Sequence, residues 1–257
     1  MRTVTATRYV TPLREGGSLP AVIEADDDGM YVMKFRGAGQ GAKALVAETI
    51  GGELARLLGL PVPEIVLVEL DPDLARTEPD PEIQDLIRAS GGTNVALDYL
   101  PGAINFDPLV EQPDALLASS IVWFDAFVAN VDRTARNTNL LLWHRKLHLI
   151  DHGAALYFHH DWASAGNAAA SPFARIADHV LLPLATRLRE ADVALAARIG
   201  DDDVEHIVAQ VPDAWLAGEP AFAGIAAHRQ AYVDHFRARL RQRAVFVEEA
   251  IRAHGHL

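Results

Sequence analysis

Residues 129–153 read A-N-V-D-R-T-A-R-N-T-N-L-L-L-W-H-R-K-L-H-L-I-D-H-G, and this stretch decides the fold. It is a polar loop, a short apolar strand at 140–143, a turn, a second strand at 147–150 and the tripeptide Asp151-His152-Gly153. Asp132 and Asn137 stand five positions apart in the loop, and Asp151 leaves the second strand. A hairpin fixes the separation of its two ends. Magnesium-dependent phosphoryl transfer needs such a layout: a carboxylate to orient and deprotonate the attacking hydroxyl, and an amide oxygen with a second carboxylate to hold Mg²⁺ against the phosphates of ATP. Asp132 fits the first task, and Asn137 with Asp151 the second. Asn139 is another amide two residues on, but the five-residue spacing favours Asn137. Asp-x-x-x-x-Asn alone is a common loop pattern; the apolar strand pair ending in Asp-His-Gly is what makes it specific.

Upstream, residues 3–10 are rich in Thr, Val and Tyr and read as a strand. Gly16-Gly17-Ser18 turns the chain into an extended segment at 21–24. Such a turn lets backbone N–H groups approach phosphates, although by itself it reads as an ordinary hairpin loop. It is not a G-x-x-x-x-G-K-[ST] loop, so a P-loop nucleotidase is not supported. Asp26-Asp27-Asp28-Gly29 is a second turn and lacks the remaining acid spacing of a calcium loop. Residues 30–35 form a strand with Lys34 late in it, while Met33 and Phe35 point to the other face. Lys34 either reaches a phosphate or faces water from an edge strand.

Residues 43–58 read as a helix stopped by Gly59 and Pro61. Val46, Ile50, Leu54 and Leu57 make its apolar stripe, and Glu53 lies on that stripe. Glu48 lies opposite, amid Ala44, Ala47, Gly51 and Ala55, small residues that permit close approach to a sheet. Either glutamate can pair with Lys34. Strands follow at 64–70 and 94–99, with a short helix at 82–89 between them.

The run V-D-R-T-A-R-N-T-N followed by L-I-D-H-G resembles the catalytic loop and metal-binding tripeptide of HipA-like kinases, distant relatives of protein kinases and of phosphatidylinositol 3- and 4-kinases. The resemblance continues through residues 44–64, A-L-V-A-E-T-I-G-G-E-L-A-R-L-L-G-L-P-V-P-E, which look like the helix and following strand of that family's N-lobe. It covers most of residues 10–160; the C-terminal third matches only in being helical. The resemblance implies an α+β, two-lobed kinase-like fold in one domain, 1–257, with an N-lobe at 1–97 and a C-lobe at 98–257. It identifies Lys34 as the ATP-contacting lysine and selects Glu48 as its partner. It implies Gly16, Gly17 and Ser18 over the phosphates, and Leu97, Asp98, Tyr99 and Leu100 as the connection whose backbone holds the adenine edge. It also suggests Ser18 as counterpart of a serine that HipA kinases autophosphorylate. At 257 residues the chain is shorter than typical HipA toxins, so their substrates and DNA-binding antitoxin partners are not carried over. His152 stands where protein kinases have an aromatic.

A helix at 113–129, opened by Pro113, delivers the chain to the Asp132 loop. Arg133 and Arg136 flank that aspartate; they steady the loop, meet an anionic substrate, or, most simply, face solvent. After the tripeptide, residues 157–172 are rich in small residues and read as a mobile segment, with His159-His160 at the surface. Helices are expected at 173–184, 187–199, 202–211 and 220–254.

Composition bounds the rest. Half the residues are hydrophobic, enough for a sizeable core. The net charge of −12 argues against a general nucleic-acid surface. The absence of cysteine excludes disulfides, thiolate nucleophiles and Cys-ligated zinc. The N-terminus lacks a signal-peptide core and no stretch has transmembrane length, so a cytoplasmic protein without membrane contact is expected. The expected partners are ATP with Mg²⁺ and a hydroxyl acceptor, a protein Ser/Thr first. A small molecule or peptide natural product is the alternative acceptor, and an ATP-binding pseudokinase is the alternative class.

Overall fold

The computed structural model describes residues 1–13, 19–39, 41–163, 165–200 and 202–256. Strands β1 (Thr3–Pro12), β2 (Ala21–Ala25) and β3 (Met30–Lys34) come first, then helix α1 (Ala42–Leu57), β4 (Ile65–Leu70), α2 (Pro81–Ala89) and β5 (Gly92–Asp98). These strands close into a barrel in the order β1-β2-β3-β5-β4. Closure comes from a parallel pairing of Thr3, Val4 and Thr5 with Leu67, Val68 and Glu69. It leaves no exposed edge along those residues. Alternation along the strands sends Val4, Ala6, Ile23, Met33, Phe35, Val66, Val68 and Ala96 into one buried cluster. Lys34 therefore points out of the barrel, towards α1.

Helix α1 ends at a left-handed Gly59 (φ 74°), with Leu60 N–H bonded back to Ala55 O at 2.9 Å. Its Leu45, Val46, Ile50 and Leu54 belong to the second and larger core cluster. That core is built on α3 (Ala115–Val128). Asp114, not Pro113, caps α3: its Oδ1 accepts from Leu116 N–H at 2.9 Å and Leu117 N–H at 3.2 Å. Ile121, Trp123, Phe124 and Phe127 are fully buried, each contributing on the order of 2–3 kcal/mol of apolar burial. Trp123 stacks on Phe127 at 5.2 Å between ring centroids and meets the edge of Phe246 at 5.5 Å.

A second sheet pairs β6 (Ile104–Asn105), β7 (Leu140–Trp143) and β8 (Lys146–Leu149) in that order. Short α4 (Ala165–Ala168), α5 (Leu188–Ala196), α6 (Asp203–Ala209), short α7 (Asp213–Leu216), α8 (Ile225–Arg241) and α9 (Ala244–His254) complete the chain. No described helix is long and apolar enough to cross a membrane.

Two helical expectations are corrected. Residues 173–184 hold two 3₁₀ turns, Ala174–Asp178 and Leu182–Leu184, separated by an extended His179 (ψ 129°) whose side chain bonds elsewhere. Residues 220–254 split into α8 and α9 around Gln242 and Arg243. The break lets Arg243 reach Asp192 at 3.1 Å and turns Phe246 onto Trp123. His159 is also fully buried rather than at the surface.

Candidate active site

Three elements meet at Lys34. Its Nζ donates to Glu48 Oε2 of α1 at 2.5 Å and to Asp151 Oδ1, the residue that follows β8 and Ile150. Glu53 pairs instead with Arg56, at 2.7 Å on the helix surface. The small residues around Glu48 explain the difference: Gly51 and Gly52 let α1 lie directly against His152 and Ile65. A Cβ on Gly51 would fall 3.0 Å from His152 Cβ, and one on Gly52 only 2.2 Å from Ile65 Cδ1. Glu48 is thereby brought to Lys34 with its side chain fully buried. Its other oxygen, Oε1, lies 3.4 Å from His152 Nδ1. His152 packs edge-on to Phe124 at 5.7 Å. Asp151 adopts the left-handed conformation (φ 55°), which Asp tolerates, and this turns its carboxylate back to Lys34.

The Asp132 loop is built from inside. Helix α3 ends at a left-handed Ala129 (φ 53°). Asn130 then bonds Asp125 with its side-chain amide at 3.0 Å and accepts from Asp132 N–H at 3.1 Å. Asp132 Oδ2 accepts from Asn137 Nδ2 at 2.7 Å and from Asn139 Nδ2 at 3.1 Å. Both amides thus present nitrogen to Asp132, which leaves their carbonyl oxygens for other partners. Arg133 is a correction to the solvent-facing reading: it is 1% exposed. Its Nε donates to Asp125 Oδ2 at 2.6 Å, and its Nη1 donates to Asn139 O and, at 3.4 Å, to Ile150 O. Arg133 therefore ties the Asp132 loop to the strand end that carries Asp151. Arg136, by contrast, is exposed.

With this geometry in place, the comparisons are specific. The sequence model of the HipA-like kinases matches residues 7–245. The chain belongs to the HipA-like kinase family. Among solved structures, the Helicobacter pylori proinflammatory kinase CtkA is similar, with a TM-score of 0.57 at 14% identity over 97% of this chain and 98% of that one. The Golgi casein kinase solved with Mn/ADP bound gives a TM-score of 0.52 at 10% identity, covering 96% of this chain and 74% of that one. A second structure of the Golgi casein kinase gives 0.51 at 11%, with 98% and 74% covered. At such identities the likeness speaks for a kinase-like fold. No curated protein matches the sequence.

The electrostatics of this HipA-like kinase follow from burial opposed by pairing. Burial lowers the Lys34 ammonium, but the charges of Glu48 and Asp151 outweigh it and hold the pKa above its ordinary value. Burial raises Glu48, yet Lys34 and the His152 contact hold it at about 2. Burial likewise raises Asp125, and Arg133 with His179 holds it at about 2. Asp151 keeps 38% of its side chain exposed. Beside it, a Cβ on Gly153 would lie 3.4 Å from both Asp151 Oδ1 and Lys34 Nζ, so the glycine keeps that space open. Oxygen donors at an open position suit Mg²⁺, which keeps waters and takes phosphate oxygens. Among the described residues no three His, Cys, Asp or Glu side chains converge as a metal cage. The partly exposed carboxylate of Asp151 suits a site completed by nucleotide and water.

The backbone of the 97–100 connection is partly committed. Asp98 N–H donates to Glu64 O at 2.8 Å and Tyr99 N–H to Met30 O at 3.0 Å. The other expected nucleotide contacts, Gly16, Gly17 and Ser18, lie outside the described residues. Sequence reasoning assigns no role to Asp125 or to His179, which falls within the helix expected at 173–184. The signal was there for Asp125: it is the one charged residue between positions 115 and 131 of an apolar helix, and a buried charge requires a partner.

Proposed function

We propose that this HipA-like kinase transfers the γ-phosphate of ATP, with Mg²⁺, to the hydroxyl of a protein serine or threonine. The observation that carries the reading is the bridge of Lys34 between buried Glu48 and Asp151. It joins barrel, helix and hairpin at one charged point. Residues 1–97 act as an N-lobe and 98–257 as a C-lobe, with the site between them. Asp132 orients the acceptor hydroxyl and takes its proton; the amides of Asn137 and Asn139 fix the carboxylate in one rotamer. Lys34, steadied by Glu48, meets phosphate charge. Asn137 and Asp151 hold the metal. Bound Mg²⁺ supplies charge neutralisation and alignment of the phosphates. At the 97–100 connection, Leu100 N–H donates to no group among the described residues and is the donor left for an adenine edge. The rate enhancement comes from positioning and fixed electrostatics.

The Golgi casein kinase structure holds Mn/ADP in the same kind of fold, which supports nucleotide and divalent-cation use here. The acceptor side of Asp132 is open, since Ala135, Arg136 and Asn137 are exposed, and this suits a hydroxyl carried on a polypeptide. The chain is proposed to work in the cytoplasm, where ATP is available. The test is incubation with γ-labelled ATP and cell extract, followed by separation of proteins from small molecules. Label on Ser or Thr of proteins is expected. Label confined to small molecules refutes the protein acceptor, and no label in any fraction refutes the transfer.

A further inference from the structure

His179 lies 47 residues beyond Asp132, in the extended residue between two 3₁₀ turns, and its ring is buried. Both ring nitrogens are engaged. Nδ1 accepts from Leu181 N–H at 3.0 Å, which leaves Nε2 as the donor to Asp125 Oδ2 at 2.8 Å. Asp125 is the hub beneath the Asp132 loop. Oδ2 also accepts from Arg133, and Oδ1 accepts from Asn130. From Asn130 one bond leads to the Asp132 backbone; from Arg133 two lead to Asn139 O and Ile150 O, on either side of the hairpin. The backbone doubles the link: Thr134 and His179 form a bridge, and Val180 N–H donates to Arg133 O at 3.1 Å.

We propose that His179 is a positioning residue for phosphoryl transfer: its Nε2–H clamps Asp125, which through Asn130 and Arg133 holds Asp132 in register with the hairpin. The role rests on the functional reading above. It makes the base depend on the seating of residues 173–181, a segment outside the hairpin that carries the chemistry. Without the clamp, Asp125 loses one of its donors, and Arg133 and Asn130 gain freedom. A carboxylate displaced by about an ångström loses on the order of 100-fold in rate. Nucleotide binding changes little, because Lys34 and Glu48 are reached by none of these bonds and Asp151 has its own tie to Lys34.

Two substitutions separate the clamp from a merely structural role. His179→Gln can place an amide N–H near the position of Nε2 and restore the bond to Asp125. His179→Asn keeps an acceptor for Leu181 N–H, and so the local turn, but cannot reach Asp125. Phosphate release from Mg-ATP is measured for the full chain, together with amide hydrogen exchange. The Gln variant is expected within about threefold of wild-type kcat. The Asn and Ala variants should lose roughly 10–100-fold in kcat with KM for ATP within about twofold. In those two, exchange should rise at residues 130–139 and stay unchanged at 30–48. An Asn variant as active as Gln, or exchange at 130–139 unaltered in the Ala variant, overturns the proposal. Asp132→Asn separates the two readings: full turnover in that variant refutes the assignment of the base, and the exchange pattern still decides the clamp.

Discussion

At Asp132 and Asp151 two carboxylates with different surroundings are proposed to divide the work. Asp132 is held by two side-chain amides and pairs with no cation among the described residues, which suits the proposed role of taking a proton from an acceptor. Asp151 bonds Lys34 and keeps part of its carboxylate exposed. Asp132→Asn is expected to leave ATP affinity within about twofold and to lower turnover by at least roughly 100-fold, since a positioned base contributes 10²–10⁴. Calorimetry with ATP, set beside steady-state phosphate release, checks both halves; a variant with wild-type turnover would sink the base assignment. Asp151→Asn should instead weaken binding of Mg-ATP by roughly tenfold, the scale of one lost charge interaction. The same titration in EDTA should show little difference between the two proteins. Equal affinity with and without Mg²⁺ in the wild type would remove the metal role.

Helix α1 is set by its small residues more than by its stripe. It has no side-chain N-cap, and Gly51 and Gly52 weaken it by about 1 kcal/mol each relative to alanine. What they allow is the approach to His152 and Ile65 that brings Glu48 to Lys34. Gly52→Ala tests which effect wins. Helix propensity alone predicts a gain of about 1 kcal/mol. The new Cβ, 2.2 Å from a fully packed Ile65, predicts overpacking worth about 1–3 kcal/mol. A net loss of stability is expected in urea unfolding; a gain would show that the close approach is not needed.

Over the whole molecule, buried titratable groups set an acid limit. His159 and His228 lie in one aromatic cluster with Trp162 and Tyr232, and His235 joins it through Phe158. One ring nitrogen of each lacks a partner among the described residues. Burial holds His159 well below its ordinary value and takes His235 down to about 3. Glu48 and Asp125 sit at about 2. The sign is the same for every one of them. The folded pKa lies below the unfolded one, so the stability is complete above the unfolded value and lost as pH falls. The histidines act from about pH 6.5 down and the carboxylates from about pH 4.5 down. Each group that the unfolded chain protonates first costs about 1.4 kcal/mol per pH unit. Urea midpoints should be level from pH 8 to 7 and fall below pH 6.5. His235→Phe, stacked on Phe158 in place of the imidazole, should flatten the upper part of that fall. A midpoint unchanged between pH 7 and 5 would contradict the buried neutral histidines.

The sequence by itself determined the family, the kinase-like character of the fold and most of the hairpin that carries Asp132 and Asp151. These were legible because the loop, its five-residue spacing and the two strands are contiguous, and because a hairpin needs only local pairing. The position of α1 was legible too, from its period and its Gly59 stop. Tertiary structure decided what local pattern cannot carry. Periodicity reports which face is apolar, not which partner covers it. Glu48 rather than Glu53 meets Lys34 because two glycines let one side of α1 descend onto β4 and His152. The barrel closes because Thr3 to Thr5 pair with residues some 64 positions away. Residues 173–184 fail to be a helix because His179 turns away to bond Asp125, and Arg133 is buried because the same carboxylate awaits it. For Glu48, Arg133 and Asp125 a charge taken out of water must find its opposite, and only the folded chain brings the two together.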